Sequence, residues 1–155
     1  MYKYCDSCDQ HISLHDCHAT NVSYENGVVT FAFSDGIWIT KEHPNNALGK
    51  TVRSDKAEVK YCLDSGCQDD ITLNIFERRL GRTVQKEWPL SKLMEYVNDK
   101  KYTLEFLYRY KGDHAIIIEC WLWSGKKPYH RECELKIWLK DVTYCWNELC
   151  EEKEW

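Results

Sequence analysis

The residues best suited to chemistry lie close together near the start of the sequence. Cys5 and Cys8 form a Cys-x-x-Cys pair, which several histidines follow. Two thiolates at this spacing can hold adjacent corners of a tetrahedral Zn²⁺ site, which needs two further ligands. Cys62 and Cys67, on either side of a turn at residues 64–66, are candidates for these ligands, and so are the nearby histidines. The simpler alternative is that all of these are free thiols and that the protein has no cofactor.

The Cys-x-x-Cys motif also occurs in redox-active sites, where it lowers the pKa of one thiol. Such sites use a helix that begins after a parallel strand, and the sequence around Cys5 shows no such pattern. We therefore rank zinc above redox chemistry. The chain has nine cysteines, an odd number, so they cannot all pair within one molecule.

A second candidate site combines aromatic side chains around one turn. Trp121 and Trp123 alternate with apolar residues of a predicted strand, so they share one face of it. Tyr129 and His130 follow across the turn, and the four residues together suit a ligand pocket or a partner interface. The alternative is that a helix packs on this face and that the tryptophans belong to the core. We expect this second arrangement, because a central strand is normally covered on both sides.

Two-residue periodicity predicts the elements that position these side chains. Residues 1–15 lack it and are predicted to form an irregular arm. After them, Asn26-Gly27 and Asp35-Gly36 lie between alternating apolar runs and predict the two turns of a three-stranded meander. Later strands are predicted around residues 58–63, 71–75, 104–110, 115–123 and 133–139, with a short edge strand near 83–85.

One segment has helical periodicity. Leu90, Leu93, Met94 and Val97 lie at positions i, i+3, i+4 and i+7, which places four apolar side chains on one helical face. The sequence therefore predicts one helix, near residues 89–98, in a mainly β protein. Regular strands joined by short turns predict an antiparallel β-sandwich or a partly open barrel. All 155 residues are expected to form a single domain.

A short motif precedes the first predicted strand. It reads Leu14-His15-Asp16-Cys17, and the second strand ends at Phe33-Ser34-Asp35-Gly36. This opening resembles a broad group of small bacterial proteins that begin with Leu-His-Asp-(Ser/Ala/Cys), a strand, a turn and a strand ending in an Asp-Gly turn. Some similar proteins are immunity proteins of contact-dependent or polymorphic toxin systems, which bind and neutralise a cognate toxin.

The resemblance covers about the first quarter of the chain and implies a binding role. In that setting His15 and Asp16 would fix the start of the strand rather than catalyse a reaction. An aspartate there can accept backbone N–H groups, and a histidine can donate to a carbonyl.

Composition and charge limit the classes of function. A hydrophobic content of 43% and an aromatic content of 14% are typical of a packed protein. A net charge of −4 argues against nucleic-acid binding, which needs a basic patch, and suits a basic protein partner. No apolar stretch reaches the ~18 residues of a membrane span.

The sequence contains no phosphate loop, nucleophile elbow or metalloprotease motif. This absence predicts a binding protein without catalytic activity, and the resemblance to immunity proteins implies a toxin as the most concrete partner. The alternatives are a small zinc-stabilised domain, and a small-ligand binder or enzyme that uses the Trp121 and Trp123 face. If Met1 is the native start, the absence of a secretory signal predicts a cytoplasmic protein with reduced thiols.

Overall fold

The computed structural model describes residues 1–7 and 9–155, and it is built mainly from antiparallel β-strands. The described strands form two sheets and do not close into a barrel, which confirms the predicted mainly β, sandwich-like fold. The strands are β1 (Tyr4–Asp6), β2 (Ile12–Ser13), β3 (Cys17–Ala19), β4 (Asn21–Glu25), β5 (Val28–Phe33), β6 (Trp38–Ile39), β7 (Val52–Ser54), β8 (Ala57–Leu63), β9 (Ile71–Arg79), β10 (Arg82–Pro89), β11 (Tyr102–Lys111), β12 (Ala115–Ser124), β13 (His130–Trp146) and β14 (Leu149–Glu154), and the helix is α1 (Leu90–Asn98).

The larger sheet folds over on itself at the long strand β13. The first half of β13 pairs with β12 and β9, and the second half pairs with β8 and β1. An extra residue between Leu139 and Asp141 marks the change. We call the part in the order β3-β11-β12-β13-β9-β10 the front half, and the part formed by β1, β13, β8, β5 and β4 the back half.

The inner faces of the two halves form one continuous apolar core. Phe106 of the front half packs edge-on against Phe31 and Phe33 of the back half, with ring centroids 5.4 and 5.3 Å apart. Burying each large apolar side chain contributes about 1.5–3 kcal/mol. The inward residues of β8, β9 and β13 are those that the alternation in the sequence predicts, and each is at most 4% exposed: Val59, Tyr61, Leu63, Ile71, Leu73, Ile75, Cys133, Leu135 and Ile137.

The first predicted hairpin is confirmed, but the second is wrong. Asn26 and Gly27, with φ of 50° and 79°, join β4 to β5. The next turn leads away from β5, because β6 pairs with β2 and β7 in the smaller sheet, β14-β7-β6-β2. A Cβ atom at Gly36 would lie 2.0 Å from the Ser54 carbonyl oxygen, and the Ile37 N–H donates to Ser54 Oγ at 3.1 Å. These close contacts with β7 carry the chain to the smaller sheet.

Helix α1 confirms the helix predicted near residues 89–98. Its apolar residues Leu90, Leu93 and Val97 are buried, and it packs against β4, β9, β10 and β11. The Asn98 side chain both donates to the Val22 carbonyl and accepts the Val22 N–H, each at 2.8 Å. The helix thereby covers part of the edge of β4. No described helix is long and apolar enough to span a lipid bilayer.

The first fifteen residues are more regular than predicted. They contain two short strands, and β1 lies beside the second half of β13. Cys5 faces Cys145 directly across this pairing, with Cα atoms 4.2 Å apart, and the two form a disulfide. The prediction that all thiols are reduced is therefore wrong for this pair. Strand pairing brings the two cysteines together across 140 residues of sequence.

A bulge in β11 changes which residues face the core. Pairing with β12 shifts by one residue between Phe106 and Arg109. Arg109 then points inward, where it donates to the Tyr144 hydroxyl, and Tyr108 and Tyr110 are 55% and 54% exposed. Strict alternation over the strand predicted at residues 104–110 would place Tyr108 and Tyr110 on the same face as Phe106, and this is wrong beyond the bulge.

Candidate functional site

The outer face of the front half presents aromatic and acidic side chains. They alternate with buried residues such as Cys120 and Leu122, so the pleat of each strand directs them away from the core. Helix α1, which we expected to cover this face, packs against other strands. We call this surface the aromatic face, and it consists of Tyr110, Glu119, Trp121, Trp123, His130, Glu132, Glu134 and Trp138.

Three of the predicted site residues meet at one end of the aromatic face. Trp123 lies directly opposite His130, and the His130 ring is 5.0 Å from Trp123 and 4.7 Å from Trp121. The two indole rings are 5.6 Å apart and nearly perpendicular. Both tryptophans are half-buried and His130 is exposed. The rings hold one another in place while their outer surfaces face solvent.

A buried carboxylate anchors this cluster from the neighbouring strand. Glu105 of β11 is 7% exposed, and its carboxylate accepts the Trp123 indole N–H. The other carboxylate oxygen is 3.6 Å from Nε2 of His18 on β3. A buried carboxylate with these two partners fixes the orientation of the Trp123 ring.

The opposite end of the aromatic face has two further exposed rings. Trp138 is 44% exposed, and the ammonium group of Lys136 lies 4.8 Å from its ring. Tyr110 donates its hydroxyl to Glu119, and this hydrogen bond raises the pKa of Tyr110. Sequence reasoning did not single out Tyr110, because the bulge in β11 decides its direction. The regular alternation of Glu119, Trp121 and Trp123 was the signal that could have extended the site along β12.

Carboxylates lie between the two aromatic ends. Glu119 of β12 is directly opposite Glu134 of β13, and Trp121 is opposite Glu132. Within the described chain, none of the three glutamates forms an ion pair. Like charges directly opposite each other destabilise a sheet. The three carboxylates outnumber Lys136, the lysine beside Trp138, so the aromatic face carries an excess of negative charge.

Tyr129, the fourth predicted binding residue, lies at the rim of this site. It is 55% exposed, and its carbonyl accepts the Ser124 N–H at 2.7 Å to close the turn between β12 and β13. None of the described ring contacts joins Tyr129 to the Trp121, Trp123 and His130 cluster.

The motif residues His15 and Asp16 lie in the turn between β2 and β3. Asp16 has φ of 56°, its N–H donates to the Phe106 carbonyl at 2.8 Å, and its own carbonyl accepts from Arg53 at 2.6 Å. Its carboxylate is 3.1 Å from Nδ1 of His15. The neighbouring Cys17 is buried, and this burial raises the pKa of its thiol to about 11. The backbone hydrogen bonds of Asp16 therefore fix the start of β3, and the buried Cys17 thiol stays protonated.

The predicted zinc ligands are not assembled in the described structure. Cys5 is bonded to Cys145, and Cys8 lies outside the described residues. Cys62 is half-buried within β8, and Cys67 is exposed after the following turn. Among the residues that the structure describes, no group of three or more His, Cys, Asp or Glu side chains is arranged to hold a metal ion.

Comparison with known proteins gives no match to a family model, to a curated protein or to a solved structure.

Proposed function

We propose that the chain is a binding protein that recognises a basic surface of a partner protein through the aromatic face. The main support is the combination of exposed rings with carboxylates that lack a cationic partner. Tryptophan and tyrosine are enriched at protein interfaces, where they anchor binding. Carboxylates among them attract a basic partner and repel an acidic one.

The most concrete version of this proposal is toxin immunity, with a cognate toxin as the basic partner. The resemblance of residues 14–17 and 33–36 to immunity proteins supports it, as does the net charge of −4. Immunity of this kind works by covering a surface of the toxin, for which an exposed face with rigid aromatic anchors is suited.

The proposal is tested with the product of the gene that adjoins the gene for this chain. We expect that product to stop growth when it is expressed alone, and this chain to restore growth. Binding is then measured by calorimetry with a variant that carries Glu119→Lys and Glu134→Lys. Two reversed charges facing a basic surface should weaken binding by at least about tenfold.

A matched control separates the effect of reversing charges on the aromatic face from the effect of changing the net charge. Glu151→Lys with Glu152→Lys makes the same change on exposed residues of β14. Trp121→Ala is a further probe, expected to cost about 2–4 kcal/mol of binding if the ring is an anchor, with thermal unfolding to verify that the variant is folded. Equal binding by both charge-reversed variants would show that the aromatic face is not the binding surface. If the product of the adjoining gene does not stop growth and does not bind this chain, toxin immunity is contradicted.

A further inference from the structure

The strands β9 and β13 separate at one end of the front half and leave an open cleft. Their pairing ends at Ile75 and Cys133. Beyond this point, residues 76–79 of β9 pair with β10, and residues 130–132 of β13 pair with β12. We call the region between these two segments the fork. Its volume is about 590 Å³, within the range of roughly 300–1,000 Å³ that is typical of ligand sites.

Two strand edges face each other across the fork. In the described chain, no backbone hydrogen bond joins residues 76–79 to residues 130–132. Each strand residue carries one backbone donor and one acceptor, and a free strand edge is a template for another extended chain. The fork can therefore take up a polypeptide by strand addition, a common mode of peptide recognition.

The charge of the fork selects the kind of chain that it can accept. The Glu77 carboxylate is contacted by Arg79 at 2.9 Å, Lys86 at 3.0 Å and Arg131 at 3.5 Å. One carboxylate cannot neutralise three cations, so this cluster keeps an excess of positive charge. Arg78 also lines the cleft and forms no ion pair with any described residue. An anionic side chain entering the fork would compensate this excess.

This positive region differs from the rest of the chain. Residues 76–86 and 124–132 contain seven of the 21 Lys and Arg residues but only two of the 25 Asp and Glu residues. A long polyanion such as a nucleic acid would extend from the fork onto a surface that carries most of the acidic groups. A short acidic segment can stay within the fork, and only a polypeptide can pair with its strand edges.

We propose that the fork binds an extended, acidic polypeptide segment by strand addition between β9 and β13. The segment pairs its backbone with residues 76–79 or 130–132 and directs carboxylates toward the cations around Glu77. The fork borders the aromatic face and shares His130 and Glu132 with it. Its cations, Arg78, Arg79, Lys86 and Arg131, do not belong to that face, and the proposal does not depend on the function proposed for that face.

The test uses a fluorescein-labelled peptide of alternating glutamate and threonine, with binding followed by fluorescence anisotropy. The variant carries Arg79→Gln and Lys86→Gln, whose side chains are 59% and 42% exposed, so the fold is expected to be retained. Removing two of the three cations should weaken binding about tenfold. The matched control, Lys50→Gln with Lys60→Gln, removes the same charge from lysines that also pair with glutamates, and it should bind like the wild type.

A second peptide separates strand pairing from simple charge attraction. It has the same sequence with every second backbone nitrogen methylated, which keeps the charge but removes the N–H donors along one edge. We expect it to bind at least about tenfold more weakly. Equal binding of the two peptides would overturn strand addition. Equal binding by the Arg79 and Lys86 variant and its control would overturn the fork as the site.

Two further measurements complete the test. A single-stranded oligonucleotide of equal charge should bind more weakly than the peptide. If the oligonucleotide binds more tightly, and the Arg79 and Lys86 variant weakens that binding, the proposed ligand class is wrong. Trp138→Ala should leave peptide binding unchanged, because Trp138 lies at the opposite end of the aromatic face and does not line the fork.

Discussion

The hydroxyl groups of two buried tyrosines, Tyr144 and Tyr61, contribute to stability in opposite ways. Tyr144 accepts a hydrogen bond from Arg109, whose guanidinium also lies 3.7 Å from the Asp9 carboxylate. Tyr61 is fully buried, and its hydroxyl has no hydrogen-bond partner among the described residues. Burying a polar group without a hydrogen-bond partner costs free energy, whereas a hydrogen bond to the buried group offsets this cost.

Removing each hydroxyl should therefore have opposite effects. We expect Tyr61→Phe to raise the free energy of unfolding by about 1 kcal/mol, because an unsatisfied group is removed. Tyr144→Phe should lower it by about 1–2 kcal/mol, because Arg109 loses its acceptor. Urea unfolding at neutral pH measures both. Equal destabilisation by the two variants would contradict the assignment of their hydrogen bonds.

The pH dependence of stability gives a separate test of Tyr144. Burial raises its pKa to about 12, from an ordinary value of about 10. Between these values the unfolded chain loses the proton while the folded protein keeps it, so stability falls as pH rises. The stabilisation is complete below pH about 10 and is lost toward pH about 12. We expect Tyr144→Phe to show a shallower fall in urea unfolding over this range, and an unchanged slope would contradict burial as the cause.

The facing carboxylates of Glu119 and Glu134 make a prediction about the unbound protein. Because like charges directly opposite each other destabilise a sheet, Glu134→Gln should raise the free energy of unfolding by about 0.2–1 kcal/mol at low salt. Added salt screens the repulsion and should reduce this gain. Thermal unfolding at two ionic strengths measures it. A gain that does not change with salt would point to a cause other than charge repulsion.

At the scale of elements, α1 protects the edge of β4 with a single side chain. Asn98 bonds both the N–H and the carbonyl of Val22, as a neighbouring strand would. Asn98→Ala leaves both backbone groups without this partner and should cost about 1–2 kcal/mol of unfolding free energy.

Asn98→Asp serves as the matched variant, since it keeps the acceptor for the Val22 N–H and loses the donor to the carbonyl. It should be less destabilising than Asn98→Ala in urea unfolding. Amide hydrogen exchange at Val22 should accelerate in the alanine variant. Unchanged exchange would show that the contact does not protect the strand edge.

At the scale of the whole molecule, the Cys5–Cys145 disulfide joins the two ends of the chain. It closes a loop across 140 residues of sequence, and a cross-link over a long loop restricts the unfolded chain strongly. We expect reduction to lower the free energy of unfolding by about 2–4 kcal/mol. Chemical unfolding with and without reductant measures the change.

Two cysteine variants control this experiment. Cys5→Ser should be as unstable as the reduced wild type and should not respond to reductant. Cys67→Ser removes an exposed free thiol and should keep the full response. A wild type whose stability does not change on reduction would contradict the role of the disulfide.

The sequence by itself determined the mainly β architecture, the hairpin at Asn26-Gly27, the helix over residues 89–98 and the inward residues of β8, β9 and the first half of β13. These features depend on local periodicity and turn chemistry, which a single sequence displays directly. The grouping of Trp121, Trp123 and His130 was also accessible, because two residues of one strand and one across a turn remain close in any antiparallel hairpin.

Only the tertiary structure decided where the chain departs from simple alternation. The bulge before Arg109 directs Tyr110 outward, contacts at Gly36 carry β6 to the smaller sheet, and the pairing of β1 with β13 places Cys5 opposite Cys145, to which it is bonded. Helix α1 packs away from β12 and leaves Trp121 and Trp123 on a solvent-facing surface. Each of these outcomes depends on contacts between residues far apart in the sequence, and local patterns carry no information about such partners.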